Sequence, residues 1–155
     1  MNPMVPEFWI GIGIAILCGG VIGFERQIRG KPAGIRTSIL ICLGTSIFIH
    51  LGTTFQGENV DPTRVLGQVV TGIGFLGAGV IIAREGLVKG VTSAAVIWVL
   101  AGIGAMIGFR LFLSAVAISF ITVGILTGVE LLENSVRRLR RGAHAREPKR
   151  TMNSE

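Results

Sequence analysis

Apolar positions gather into five long runs, and polar residues are confined to the short segments between them. The runs are Phe8–Phe24, Ile39–Phe55, Val65–Ala83, Val91–Phe109 and Leu111–Val129, each of 17 to 19 residues. That length lies near the lower end of what crosses a hydrocarbon core of roughly 30 Å. The pattern predicts an all-α polytopic membrane protein with five transmembrane helices. Only Arg110 separates the last two runs, so the turn there must be tight. Four spans, with one long bent helix, is the competing reading.

Charge sets an orientation. Thirteen of the fifteen Lys and Arg fall in alternate segments: Arg26, Arg29, Lys31 and Arg36; Arg84 and Lys89; and seven in the tail from Arg137 to Arg150. The opposite side holds only Arg64 and Arg110. By the positive-inside rule the N-terminus is outside and the tail cytoplasmic. The first nine residues carry no basic stretch, so the first run is expected to be a retained span rather than a removed signal.

Composition agrees with this picture. Half of the 155 residues are apolar, 15% are charged and 23 are Gly, with mean hydropathy +0.67. A soluble domain carries about a quarter charged residues, and a disordered chain has far less apolar content. The net charge of +6 sits at span edges and in the tail, as for contact with lipid headgroups rather than nucleic acid. Cys18 and Cys42 lie inside apolar runs and read as small core residues. Residues 1–134 are expected to form the membrane domain. Residues 135–155 form a basic cytoplasmic tail, amphipathic through Leu132, Val136 and Leu139 and disordered from Gly142.

A weak repeat relates GVIGFER at 20–26 to GVIIARE at 79–85, and GIRTS at 34–38 to GVTS at 90–93. It would relate spans one and two to spans three and four about an axis along the membrane normal.

Candidate chemistry is sparse. GIGFLG at 72–77 matches a dinucleotide fingerprint by letter, but no strand precedes it and no βαβ unit surrounds it. Gly72, Gly74, Gly77 and Gly79 read instead as helix-packing surfaces. Gly19/Gly23, Gly104/Gly108 and Gly124/Gly128 add three further pairs. So much small-residue surface suggests a homo-oligomer. Asp61 and Pro62 suit the N-cap and first position of the third helix. Arg64, Gln68 and Thr71 fall on one stripe of it, and Gln68 lies about 10 Å into the membrane. An amide at that depth should face another helix or a wet cavity. Glu25 closes the first span at the helix end where a carboxylate is disfavoured. It therefore wants a cation, with Arg26, Arg36 and Arg84 as candidates. His50 reads as an interfacial polar residue. With no nucleophile–base pair, metal cluster or phosphate loop, neither enzymatic activity nor a cofactor or bound metal is expected.

Four stretches carry a resemblance: GGVIGFERQ at 19–27, GKPAGIRTSILICLG at 30–44, DPTRVLGQVVTGIGFLGAGVI at 61–81 and GVTSAAVIWVLAGIG at 90–104. They resemble the MgtC/SapB family of bacterial inner-membrane proteins. The resemblance implies a five-span membrane domain, which many members follow with a cytoplasmic ACT-like domain. Only about twenty polar residues follow the last span here, and this chain is expected to lack that domain. The family was first described in terms of magnesium transport. Its virulence-associated members are linked to growth in low Mg²⁺ and to restraint of the F-type ATP synthase. The family position tied to that role, often Asn, corresponds here to Thr92, a smaller and weaker hydrogen-bonding residue. The expected partners are membrane lipids and the F-type ATP synthase or another membrane protein. The alternatives are a cation transporter working through Arg64, Gln68 and Thr71, or a purely structural oligomer.

Overall fold

The computed structural model describes residues 5–54, 62–84 and 87–144. Five helices appear in order: α1 (Pro6–Ile28), α2 (Ile35–Thr54), α3 (Pro62–Ala78), α4 (Val91–Gly108) and α5 (Phe112–His144). A two-stranded antiparallel hairpin, β1 (Ile82–Arg84) and β2 (Leu87–Lys89), stands between α3 and α4. The protein is thus a helical membrane protein. α1, α2, α4 and the first part of α5 are each long and apolar enough to cross a bilayer. α3, at 17 residues, extends about 26 Å. The chain separates into two units, Met1–Val123 and Gly124–Glu155.

In the first unit α4 is the central helix. Its 18 residues carry no charge, and a helix apolar all round belongs inside a bundle. Val96, Ile97, Leu100, Ala101, Ile103 and Ile107 are all buried. α2 lies parallel to α4, with α1 and α3 antiparallel to it. Backbone proximity explains the glycines at these seams. A β-carbon at Gly104 would stand 2.6 Å from the Cys42 carbonyl oxygen, and one at Gly108 2.7 Å from Cβ of Ile49. Gly19 and Gly23 approach Ile39 and Ile35 as closely. Small residues substitute here for the hydrophobic drive that lipid does not supply. On α5, Ala115 and Ser119 are buried, and Ser119 stands within hydrogen-bonding reach of Cys18 on α1.

Two turns share one design. α1 ends in a Schellman motif with Gly30 at φ 62°, its N–H bonded to the Gln27 carbonyl and the Lys31 N–H to the Arg26 carbonyl. α4 ends in the same pattern, with Arg110 N–H to Ile107 O, Leu111 N–H to Met106 O, and Arg110 itself at φ 65°. This motif usually places Gly at that position. The turn is what allows α4 and α5 to be separate helices with so little chain between them.

The hairpin departs from the expected third span. The apolar run continues to Ala83, but the helix stops at Ala78 and Val80, Ile81 and Ile82 leave it. β-branched residues favour extended backbone. Gly90 completes the corner at φ 94°, where any β-carbon would collide with the Val80 carbonyl oxygen. In the second unit the helix continues unbroken from Gly124 to His144, so helix covers both the boundary expected at 134/135 and the stretch from Gly142 to His144. Leu131 and Leu132 on it are exposed. The side chains of Val136 and Leu139 lie outside the described residues.

Candidate functional site

Two groups of polar residues stand out in the first unit, one buried and one uncovered. The buried group lies where α1 ends and α4 begins. Glu25 and Arg26 are only 9% and 4% exposed. Arg26 Nη2 donates a 2.7 Å hydrogen bond to Ser93 Oγ on α4, tying the two helices together at the end that carries the basic turn and the hairpin. Arg29, one turn beyond Glu25, brings its Nε within 2.6 Å of Oε1, while Arg26 Nη1 stands 3.9 Å from Oε2. The Glu25 oxygens and Arg26 Nε are buried without a well-directed hydrogen bond among the described residues, so the attraction to Glu25 is chiefly coulombic. A buried carboxylate flanked by two guanidiniums is costly to disrupt from one side.

The next turn is held by polar side chains. Gln27 Oε1 accepts the N–H of Ile35, 3.3 Å away, at the start of α2. Ser38 Oγ donates to the Ala33 carbonyl at 2.8 Å, supporting Ala33 at φ 63°.

The uncovered group runs along α3. Arg64, Gln68 and Thr71 are all exposed, and the Thr71 hydroxyl donates to the Gly67 carbonyl of its own helix. Gln68 lines an open, mostly apolar groove of about 450 Å³ between α2 and α3, walled by Leu40, Phe48 and Leu76. Gly44 and Gly72 form part of its floor, and a β-carbon on either would meet nothing within 4 Å among the described residues. The same holds for Gly67 and Gly74, whereas Gly77 packs against Ala94 of α4. Gly79 lies in the turn before the hairpin. Exposed Phe75 and Leu76 continue this face.

The remaining candidates are dispersed. Arg36 is exposed at the start of α2, and Thr92 is exposed beside buried Ser93. Asp61 and the side chain of Arg84 lie outside the described residues. Arg29 and Ser93 were not singled out from the sequence. Arg29 was accessible through its i, i+4 spacing from Glu25. Ser93 had a weaker signal, its place opposite Ser38 in the partial repeat. Among the described residues no three His, Cys, Asp or Glu side chains are grouped as a metal site would require.

Comparison with known proteins gives a consistent result. A family model described as the MgtC family matches residues 12–135. The chain is 42% identical over 116 residues to a protein of Escherichia coli (strain K12) named "Putative magnesium transporter YhiD", covering 70% of this chain and 54% of that one. It is 44% identical over 108 residues to Protein MgtC of Brucella abortus (strain 2308), covering 69% and 45%. To Protein MgtC of Salmonella typhimurium (strain LT2) it is 45% identical over 108 residues, covering 69% and 46%. The chain thus spans about half the length of the curated relatives it matches. No solved structure matches it.

Proposed function

Because the chain belongs to the MgtC family, we propose that it is a non-enzymatic bacterial inner-membrane protein of adaptation to low Mg²⁺. In this reading it restrains the F-type ATP synthase by helix-to-helix contact in the membrane, and it contributes to virulence where its host is a pathogen. The N-terminus is outside and the basic segments are cytoplasmic. The observation that carries the reading is Gln68. Its amide lies exposed in an apolar groove, flanked by glycines whose β-carbons would meet no side chain among the described residues. A primary amide at membrane depth needs a partner, and interhelical amide bonds beside small residues are a common means of association.

The transporter alternative draws on the name of one relative and on the stripe of Arg64, Gln68 and Thr71. It asks these residues to share a wet path with Glu25. The groove that Gln68 lines includes neither Arg64 nor Glu25, and Glu25 is engaged by Arg29 and Arg26. The contact reading is therefore preferred.

ATP-driven proton pumping in inverted membrane vesicles tests it. Expression of the protein should slow pumping, and Gln68→Leu should restore it without lowering the amount of protein in the membrane. Equal pumping with and without the protein overturns the proposal.

A further inference from the structure

The end of the bundle opposite the buried Glu25–Arg26 pair holds a second pocket, which the proposed function does not use. We propose that this pocket binds a zwitterionic phospholipid by its headgroup, the phosphate on Arg110 and the ammonium on Glu7. The cavity measures about 290 Å³, close to the lower size of small-molecule sites, roughly 300 Å³. Phe8, Ile12, Leu43 and Phe112 form its apolar walls, and Glu7, Arg110 and His50 supply polar groups.

The backbone at Arg110 is unusual. α1 and α4 end in the same Schellman motif, and α1 fills the left-handed position with Gly30. α4 fills it with an arginine at φ 65°, in a chain that uses Gly freely elsewhere. Strain of this kind is retained where the side chain has a task. The turn points the guanidinium across to the first turn of α1, where Nη1 meets Glu7 Oε2 at 2.5 Å.

The ion pair is also open to exchange. Its side chains are 57% and 53% exposed, so the bond is weak and a ligand can exchange with it. A simple anion would take Arg110 and leave Glu7 without its cation, and a simple cation would do the reverse. A ligand carrying both charges replaces both halves of the pair. The apolar walls beneath then accept the glycerol and upper acyl region. The pocket also sits where α1 begins and α4 ends, at the ends of two candidate membrane spans. A lipid therefore fits better than a soluble zwitterion.

Native mass spectrometry of the detergent-purified protein tests this, with equimolar phosphatidylethanolamine and phosphatidylglycerol added. The expected result is preferential retention of phosphatidylethanolamine. Arg110→Gly suits the turn, so it should keep or raise thermal stability while cutting that retention about tenfold, the loss of one charge-assisted contact. Glu7→Gln should shift the preference toward phosphatidylglycerol, because the guanidinium then faces an anionic lipid unopposed. Equal retention of the two lipids by the unaltered protein overturns the proposal. So does an unchanged preference in both variants. Displacement of the lipid by free phosphoethanolamine at similar concentration would overturn the lipid assignment in favour of a soluble zwitterion.

Discussion

Arg26 is the residue on which the basic end of the bundle depends. It is buried beside Glu25, and its only bond to α4 among the described contacts is the one to Ser93 Oγ. Ser93→Ala leaves a guanidinium nitrogen without its acceptor, and stability should fall by about 1–3 kcal/mol. Arg26→Met should cost more, about 3–5 kcal/mol, because Glu25 then stays buried with one cation fewer. Equilibrium unfolding in mixed micelles measures both, and the order of the two losses is the informative result. Much of this cluster was legible from local spacing. A carboxylate at a helix C-terminus called for a cation, and Arg29 lies at the spacing that supplies one. The bond from Arg26 to Ser93 joins residues 67 positions apart, and no periodicity within one helix encodes it.

The elements differ in how fully the chain covers them, and the glycines record the difference. At Gly19, Gly23, Gly104 and Gly108 a β-carbon would strike a neighbouring helix at 2.6 or 2.7 Å. Substituting Ala at Gly104 or Gly23 should therefore lower thermal stability sharply and reduce the yield of folded protein. At Gly72 and Gly74 the same β-carbon meets none of the described residues within 4 Å. Ala there should leave stability unchanged or slightly higher, given the helix propensities of the two residues, yet weaken the effect on proton pumping. A motif of small residues in sequence does not distinguish these two classes, because the distinction rests on which face of each helix meets a neighbour. The hairpin illustrates a different limit. Hydropathy counts Val80–Ala83 as part of the third span, while the β-branched run Val80–Ile82 carries the opposite message. Gly90→Ala should destabilise the protein by more than about 1 kcal/mol, since φ 94° disfavours a β-carbon and the Val80 carbonyl occupies its space.

At the scale of the whole molecule, the apolar runs and the match over residues 12–135 identify a membrane protein of the MgtC family. Four of the runs correspond closely to helices long enough to cross a bilayer. Reporter fusions after residues 33, 57, 87 and 111 should alternate between cytoplasmic and external readouts if α3 also crosses. An identical readout on both sides of α3 would instead place that helix on one side. The function was less legible, because polar residues of a membrane protein acquire meaning from what covers them. Gln68 is conspicuous in the sequence at its depth, but which side chains share its groove is read only from the structure. If the protein is not a carrier, proteoliposomes containing it should take up no more Mg²⁺ than empty ones, and the Arg64→Ala, Gln68→Ala double variant should behave identically. The central claim, that α3 presents Gln68 to another membrane protein, is tested most directly by a photo-crosslinking amino acid at position 68 in intact membranes. The expected product is an adduct with a membrane subunit of the F-type ATP synthase, identified by mass spectrometry and reduced when Gly72 and Gly74 are also replaced by Leu. Adducts confined to lipid, or to a second copy of this chain, would contradict it.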